Sequence, residues 1–140
     1  AQDCNKWLHL PNRESYVTLG DLDIPGTTIT VEALFMRTAP YFNNNPLYAG
    51  DLVTKHNTPD DVNYLLRPNS AEITTTNGYF FAGAPCVFEL NRIYHVAMVY
   101  DGNFLRYYRN GHLMSTVPAT GQLIQNDLMA KIGYYDANVN

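Results

Sequence analysis

Residues 94–111 restrict the fold of this chain more than any other segment, because they encode two strands and the turn at the end of each. The segment reads YHVAMVYDGNFLRYYRNG, in which two runs rich in aromatic and β-branched residues end at Asp101-Gly102 and Asn110-Gly111. Asp-Gly and Asn-Gly favour type I′ hairpin turns, since those turns need positive φ at both central positions. A third apolar run, at 112–117, comes directly after them. The pattern predicts a three-stranded antiparallel meander.

The rest of the chain also has the pattern of strands. Residues 28–36 alternate, so that Ile29, Val31 and Phe35 are expected to point into the core and Glu32 to lie on the opposite face, available to an arginine, water or a ligand. Further strand candidates, separated by turns rich in Pro, Gly, Asn and Asp, are residues 7–10, 16–19, 51–55, 63–67, 71–76 and 79–82. No helical period is present. Short strands at this spacing predict an all-β antiparallel sandwich.

Size and charge exclude several classes of protein. The 140 residues are expected to form one domain, 1–140, with a core large enough to need no metal or disulfide framework. A net charge of −4 with 16% charged residues gives no basic surface for nucleic acid. No apolar run approaches the roughly 18 residues of a membrane helix. We therefore expect no nucleic-acid partner and no membrane span.

No catalytic constellation stands out in the sequence. The histidines have no metal-type spacing, and the serines have no nucleophile-elbow motif. Acidic residues do not form the spaced strand pattern that a pair of glycosidase carboxylates needs. The histidines are His9, His56, His95 and His112, and the serines are Ser15, Ser70 and Ser115. We expect no enzymatic activity, and His95 is interpreted as a structural histidine of its strand.

Several short strings resemble one protein family. They are residues 94–97 (YHVA), 100–102 (YDG), 108–111 (YRNG) and 131–133 (KIG), together with 28–35 (TITVEALF) and 51–55 (DLVTK). In this order they are similar to the laminin-G-like and pentraxin-like jelly rolls of the concanavalin A-like lectin superfamily. The resemblance implies a jelly-roll fold and a module of the kind found in bacterial surface adhesins. Function must still be argued from a site, because one fold hosts many activities.

The resemblance also points to a missing element. In that family a loop and a closing strand come after the Ile-Gly strand, whereas this chain reaches Asn140 soon after Gly133. An unclosed sheet edge leaves backbone groups unpaired. Two explanations stay open: the chain is the N-terminal module of a longer protein, which we favour, or residues 4–10 fill the gap.

The two cysteines, Cys4 and Cys86, allow either a disulfide in an oxidising compartment or two buried thiols. We favour the bridge. The chain starts with a small residue and a polar segment, as mature proteins do just after signal-peptide cleavage. With the family resemblance, these features predict a secreted or cell-surface protein.

Two polar loops are candidate calcium sites. Calcium prefers carboxylate, amide and carbonyl oxygens supplied by loops. In pentraxin-like proteins, the loop after the Ile-Gly strand and the region before residues equivalent to 51–55 bind calcium together, and calcium holds the ligand. Carried over by position, the resemblance implies Asp136 as the first ligand, followed by Asn44, Asn43 and Asp51. Two solvated loops without metal are the alternative.

Tyrosines flank the same two loops. A sugar ring stacks on an aromatic face and hydrogen-bonds to amides and carboxylates. Tyr41, Tyr48, Tyr134 and Tyr135 are therefore the predicted ligand-binding residues.

The sequence thus predicts a non-catalytic extracellular recognition module that binds a glycan or a surface protein. The rival interpretation is a structural spacer whose partners are neighbouring domains of its own parent protein or neighbouring subunits. A third is an accessory domain of a larger enzyme.

Overall fold

The chain folds into a sandwich of two antiparallel β-sheets. The computed structural model describes residues 6–12, 14–40, 50–57 and 61–133. Its strands are β1 (Val17–Gly20), β2 (Ile29–Met36), β3 (Val53–His56), β4 (Val62–Arg67), β5 (Ser70–Thr75), β6 (Gly78–Gly83), β7 (Ile93–Tyr100), β8 (Phe104–Arg109), β9 (His112–Pro118) and β10 (Ala130–Ile132). No helix occurs among these residues, which confirms the predicted all-β class.

One sheet has six strands in the order β1-β10-β3-β4-β5-β6, and the other has four in the order β2-β7-β8-β9. Strands β7, β8 and β9 are the predicted meander. Between the sheets, β6 contacts β8 and β9, and β5 contacts β8. The two sheets therefore face each other with β6 over the end of the meander.

The alternation predicted for β2 is present in the structure. Ile29 is buried, and Val31, Ala33 and Phe35 pack against the core, while Glu32 is on the outer face. Glu32 Oε2 lies 3.0 Å from Nε2 of His95 on β7. Period-two alternation buries one face of a strand and exposes the other, so the residue pattern alone fixed the orientation of β2.

Three tyrosines are fully buried in the core and satisfy their hydroxyl groups locally. Burial of a tyrosine is favourable only when its hydroxyl finds a hydrogen-bond partner. Each donates to a backbone carbonyl: Tyr64 to Leu22 at 3.0 Å, Tyr100 to Gly121 at 2.6 Å, and Tyr107 to Pro68. These tyrosines therefore serve the core and are not a recognition surface.

The two predicted hairpin turns differ. Asn110 (φ 48°) and Gly111 (φ 77°) both have positive φ, as a type I′ turn needs. At the other turn only Gly102 has positive φ, and the connection has three residues, 101–103, so the type I′ prediction is wrong there. The carboxylate of Asp101 accepts hydrogen bonds from the backbone N–H groups of residues 103 and 104. This local capping stabilises a longer turn instead.

The strand predicted at residues 7–10 is wrong, whereas the strand predicted at 16–19 is β1. Trp7 and Leu8 are largely exposed, so pairing there would bury little apolar surface, and Pro11 lacks the N–H group that a ladder needs. The free edge of β10 is taken by β1 instead, with Val17 opposite Ile132.

Strand β2 forms an open sheet edge. Within the described part of the chain, β2 pairs with β7 along all eight residues and has no partner on its other side. Next to this edge, Leu34 is 61% exposed and Met36 46%. Residues 6–10 do not cover it, and residues 4 and 5 lie outside the described residues.

Candidate functional site

The outer face of the six-stranded sheet carries a mixed polar and aromatic patch. Across three adjacent strands, Leu65 on β4 lies opposite Glu72 on β5, which lies opposite Phe81 on β6. In a strand, residues two apart share a face, so Arg67 and Tyr79 point to the same side as this row. Cross-strand register therefore brings charged and aromatic side chains together.

These side chains line a cavity of about 180 Å³, which we name the Glu72 pocket. Its lining residues are His56, Val62, Leu65, Arg67, Glu72, Tyr79 and Phe81. Tyr79 and Phe81 are 48% and 50% exposed and present aromatic surface to solvent. The cavity is smaller than the ~300–1,000 Å³ pockets that enclose drug-sized ligands, so it matches one small unit of a ligand.

A network of charge-assisted hydrogen bonds fixes the polar side chains. Arg67 donates from Nε to Asp51 Oδ1 at 2.7 Å and from Nη1 to Glu72 Oε1 at 3.0 Å. Ser70 donates to the same Glu72 oxygen at 3.2 Å, and the Tyr79 hydroxyl donates to Oε2 at 2.7 Å. Every carboxylate oxygen of Glu72 therefore has a donor, which makes this site rigid and preorganised.

Burial shifts the pKa values of the network. It raises the pKa of Asp51, although the Arg67 guanidinium acts in the opposite direction. Burial and the hydrogen bond to Glu72 raise the pKa of Tyr79 well above its ordinary range. Burial alone would lower the pKa of Arg67, but Asp51 and Glu72 reverse this, so the guanidinium stays charged.

His56 lies at the inner side of the pocket. Its side chain is buried, its Nε2 lies 3.7 Å from Asp51 Oδ2, and its Nδ1 contacts the Thr54 hydroxyl. A charged imidazole would be attracted to Asp51 at this distance.

Of the predicted calcium ligands, Asp51 is the one within the described residues. It is buried in the segment before β3, and its Oδ1 accepts the hydrogen bond from Arg67. A calcium ion would have to compete with Arg67 for this carboxylate. Asp136, Asn44 and Asn43 lie outside the described residues, and the described part contains no group of three acidic, histidine or cysteine side chains that could hold a metal ion.

The predicted ligand-binding tyrosines, Tyr41, Tyr48, Tyr134 and Tyr135, all lie outside the described residues, so their role stays a prediction.

Cys86 is buried and has a free thiol. Its predicted partner, Cys4, lies outside the described residues, and the bridge between them is not observed.

Sequence reasoning missed the Glu72 pocket. The sequence pattern places Arg67, Glu72, Tyr79 and Phe81 on strands and His56 in a turn, without indicating that their side chains converge. The signal was present, because acidic, basic and aromatic residues occupy alternate positions on three consecutive strands. A cluster of aromatic residues at positions that face away from the core indicates a contact surface.

Comparison with known proteins identifies the family. Residues 11–138 match the family Laminin_G_3, described as belonging to the concanavalin A-like lectin/glucanases superfamily. No curated protein matches the sequence. No helix in the described residues is long and apolar enough to cross a membrane.

A solved pentraxin structure shares the fold at low sequence identity. A native heptameric SAP-like pentraxin from Limulus polyphemus is 16% identical with a TM-score of 0.53, and the match covers 87% of this chain and 57% of that chain. The alginate lyase from Corynebacterium sp. is 17% identical with a TM-score of 0.34, covering 83% of this chain and 48% of the lyase. This chain thus spans little more than half the length of the pentraxin chain.

The family match extends over nearly the whole sequence, and the two-sheet sandwich agrees with it. The chain therefore belongs to the laminin-G-like family of the concanavalin A-like lectin/glucanases superfamily.

Proposed function

We propose that this domain is a non-catalytic carbohydrate-recognition module and that the Glu72 pocket holds one sugar unit of its ligand. The observation that carries the proposal is the combination of two half-exposed aromatic side chains with a rigid polar network in one cavity. The superfamily to which the chain belongs includes lectins by its description, which supports the same class of ligand.

The chemistry of the pocket suits a sugar. Aromatic rings pack against the C–H face of a pyranose, and fixed charged groups hydrogen-bond to its hydroxyls. Tyr79 and Phe81 supply the rings. Arg67 is part-exposed and supplies the polar contact next to them. Because the network already exists without ligand, little side-chain entropy is lost on binding.

We also propose that the domain catalyses no reaction. The two carboxylates beside the pocket, Asp51 and Glu72, both bind the guanidinium of Arg67. A pair of glycosidase carboxylates must instead flank the scissile bond, one of them ready to give a proton and the other to attack or activate water. An extracellular or cell-surface location, as a module of an adhesin-like protein, is part of the proposal because it would place the pocket among glycans.

A glycan array is the first experiment, followed by titration calorimetry with the best ligand. We expect Phe81→Ala to lower affinity by roughly 3- to 10-fold, the range that loss of one aromatic contact gives. Tyr79→Phe keeps the aromatic ring and should lower the affinity less than Phe81→Ala does. Leu34→Ala, on the other sheet, is the control and should bind as the wild type does. Normal binding by Phe81→Ala would show that the sugar binds elsewhere.

Calcium binding is a second part of the proposal and is tested independently of the Glu72 pocket. If Asp136, Asn44, Asn43 and Asp51 form a site, millimolar calcium should raise the melting temperature by mass action. Asp136→Ala should abolish that increase. An unchanged melting temperature in the wild type would remove calcium from the proposal without affecting the pocket.

The structural-spacer alternative is favoured by one observation. Leu34, Met36 and Ile93 form an exposed apolar strip on the outer face of the four-stranded sheet, where Met36 lies opposite Ile93. Exposed apolar strips of this kind often mark protein contacts. A glycan array without any binding, together with self-association that Leu34→Lys abolishes, would favour this alternative.

A further inference from the structure

Two buried carboxylates share one guanidinium at the Glu72 pocket. Asp51 and Glu72 are each 5% exposed, and both bind one guanidinium, that of Arg67. The other basic side chain of the site, His56, is uncharged unless it is protonated. With a neutral imidazole and both carboxylates ionised, two carboxylates face a single cation, and one negative charge of the network is uncompensated.

Two of the donor nitrogens of Arg67 are also already engaged. Its Nε and Nη1 point to carboxylate oxygens of the protein at 2.7 and 3.0 Å. A ligand carboxylate or sulfate that approached this guanidinium would therefore meet Asp51 and Glu72 as like charges. Like charges at short range are strongly unfavourable where solvent is partly excluded.

The aromatic walls favour the opposite charge. Tyr79 and Phe81 flank Glu72 on β6, with Phe81 directly opposite it across the two strands. A cation above the face of an aromatic ring is attracted by the ring quadrupole. Buried carboxylates and two half-exposed aromatic rings in one cavity are together a favourable environment for an ammonium group.

We propose that the Glu72 pocket selects amino sugars, binding a hexosamine unit through its protonated amine. This inference rests on the proposed function, since it names the class of sugar that the same pocket takes. The amine lies toward Glu72 and Asp51, and the ring packs on Tyr79 or Phe81.

The test compares sugars that differ in charge alone or nearly so. Titration calorimetry at pH 7 and low salt, where an unperturbed imidazole is mostly neutral, uses three pentasaccharides: a chitosan oligomer with free amines, its fully N-acetylated counterpart, and an oligogalacturonate. We expect the amine form to bind at least about tenfold more tightly than the acetylated form, a factor within reach of one charge and one cation–π contact. The oligogalacturonate should bind most weakly.

Two variants connect that preference to the pocket. Glu72→Gln should bind the amine and acetylated forms equally, and Asp51→Asn should reduce the preference if Glu72→Gln does not fold by circular dichroism. Glu89→Gln removes an exposed carboxylate that binds Arg92 in the loop before β7, and it should keep the wild-type preference.

The outcomes separate the two proposals. Equal or tighter binding of the acetylated or uronate sugar, or an amine preference that survives both pocket substitutions, overturns the inference and leaves carbohydrate recognition standing. If no pentasaccharide binds and the glycan array is also silent, both proposals fail together.

Discussion

The ammonium nitrogen of Lys55 lies 2.5 Å from Oδ1 of Asp21, although the Lys55 side chain has no exposed surface. The same nitrogen binds Asp23 and donates to the backbone carbonyl of Asn126 at 2.8 Å. Burial alone lowers the pKa of Lys55, but the hydrogen bonds to the two aspartates outweigh it and raise that pKa. These contacts join β3 to the loop before β2 and the loop before β10.

Removing both aspartates should destabilise the domain strongly. In an Asp21→Asn, Asp23→Asn double variant the buried ammonium has no charged partner, and we expect a loss of about 3–5 kcal/mol in the free energy of unfolding. Lys55→Met is the matched control and should lose less, because the two aspartates reach solvent. Urea denaturation measures both. A double variant that is as stable as Lys55→Met would contradict this account.

Asp101 should make stability depend on acid pH. The hydrogen bond from Arg106, with those from the backbone of residues 103 and 104, lowers the pKa of Asp101 to about 2 from 3.8. A carboxyl whose pKa falls on folding stabilises the folded state above its unfolded pKa and loses that contribution as the pH falls through its folded pKa. The stability difference between wild type and Asp101→Asn should therefore be full at pH 6 and shrink between about pH 4 and pH 2.

Chemical denaturation at a series of pH values tests this prediction. Glu14→Gln, in the exposed N-terminal segment, serves as the control and should follow the wild type throughout. A constant difference between wild type and Asp101→Asn down to pH 2 would count against the prediction.

Asp51 should make the stability of the fold depend on pH in the opposite direction to Asp101. Burial raises its pKa above 3.8 despite the nearby Arg67. A carboxyl whose pKa rises on folding stabilises the folded state when it is protonated, so its contribution is present below the unfolded pKa and is lost as the pH rises through the folded pKa. Relative to Asp51→Asn, the wild type should therefore lose stability as the pH increases above about 4. Parallel pH profiles of the two proteins would refute this.

Two glycines with positive φ should differ in their tolerance of alanine. A methyl group added at Gly111 (φ +77°) would have no atom within 4 Å, so Gly111→Ala should cost about 1 kcal/mol from backbone strain alone. At Gly121 (φ +101°) the added carbon would lie 2.8 Å from Thr76 Oγ1 and 2.9 Å from Thr75 Oγ1. Gly121→Ala should therefore lower the melting temperature further. Equal melting temperatures would mean that the threonines move aside freely.

Local sequence patterns predicted most of the strands. Alternation at Ile29, Val31 and Phe35 fixed the face of β2, and Asn110-Gly111 fixed the turn between β8 and β9, because each signal depends on neighbouring residues only. The prediction of a strand at residues 7–10 was wrong because a strand also needs a neighbouring strand to pair with and an apolar surface to bury. The type I′ turn predicted at Asp101 was wrong because the Asp101 side chain accepts backbone hydrogen bonds in a longer turn.

The Glu72 pocket depends on relationships that no local pattern contains. Glu72 meets Phe81 and Leu65 through the register of three strands, and Asp51 meets Arg67 across the β3–β4 hairpin. A shift of one residue in any strand would turn these side chains to the other face. The individual residues could therefore be assigned to strands from the sequence. That their side chains lie together could be seen only once the pairing of the strands was known.

The pairing of Val17 with Ile132 has a consequence for how the chain folds. It brings together strands from opposite ends of the described sequence, whereas β7, β8 and β9 are connected by short turns. Closing a long loop costs more entropy than closing a short one, and folding slows as contacts become less local. We expect the meander to gain protection from hydrogen exchange early in refolding and the β1–β10 ladder to gain it last.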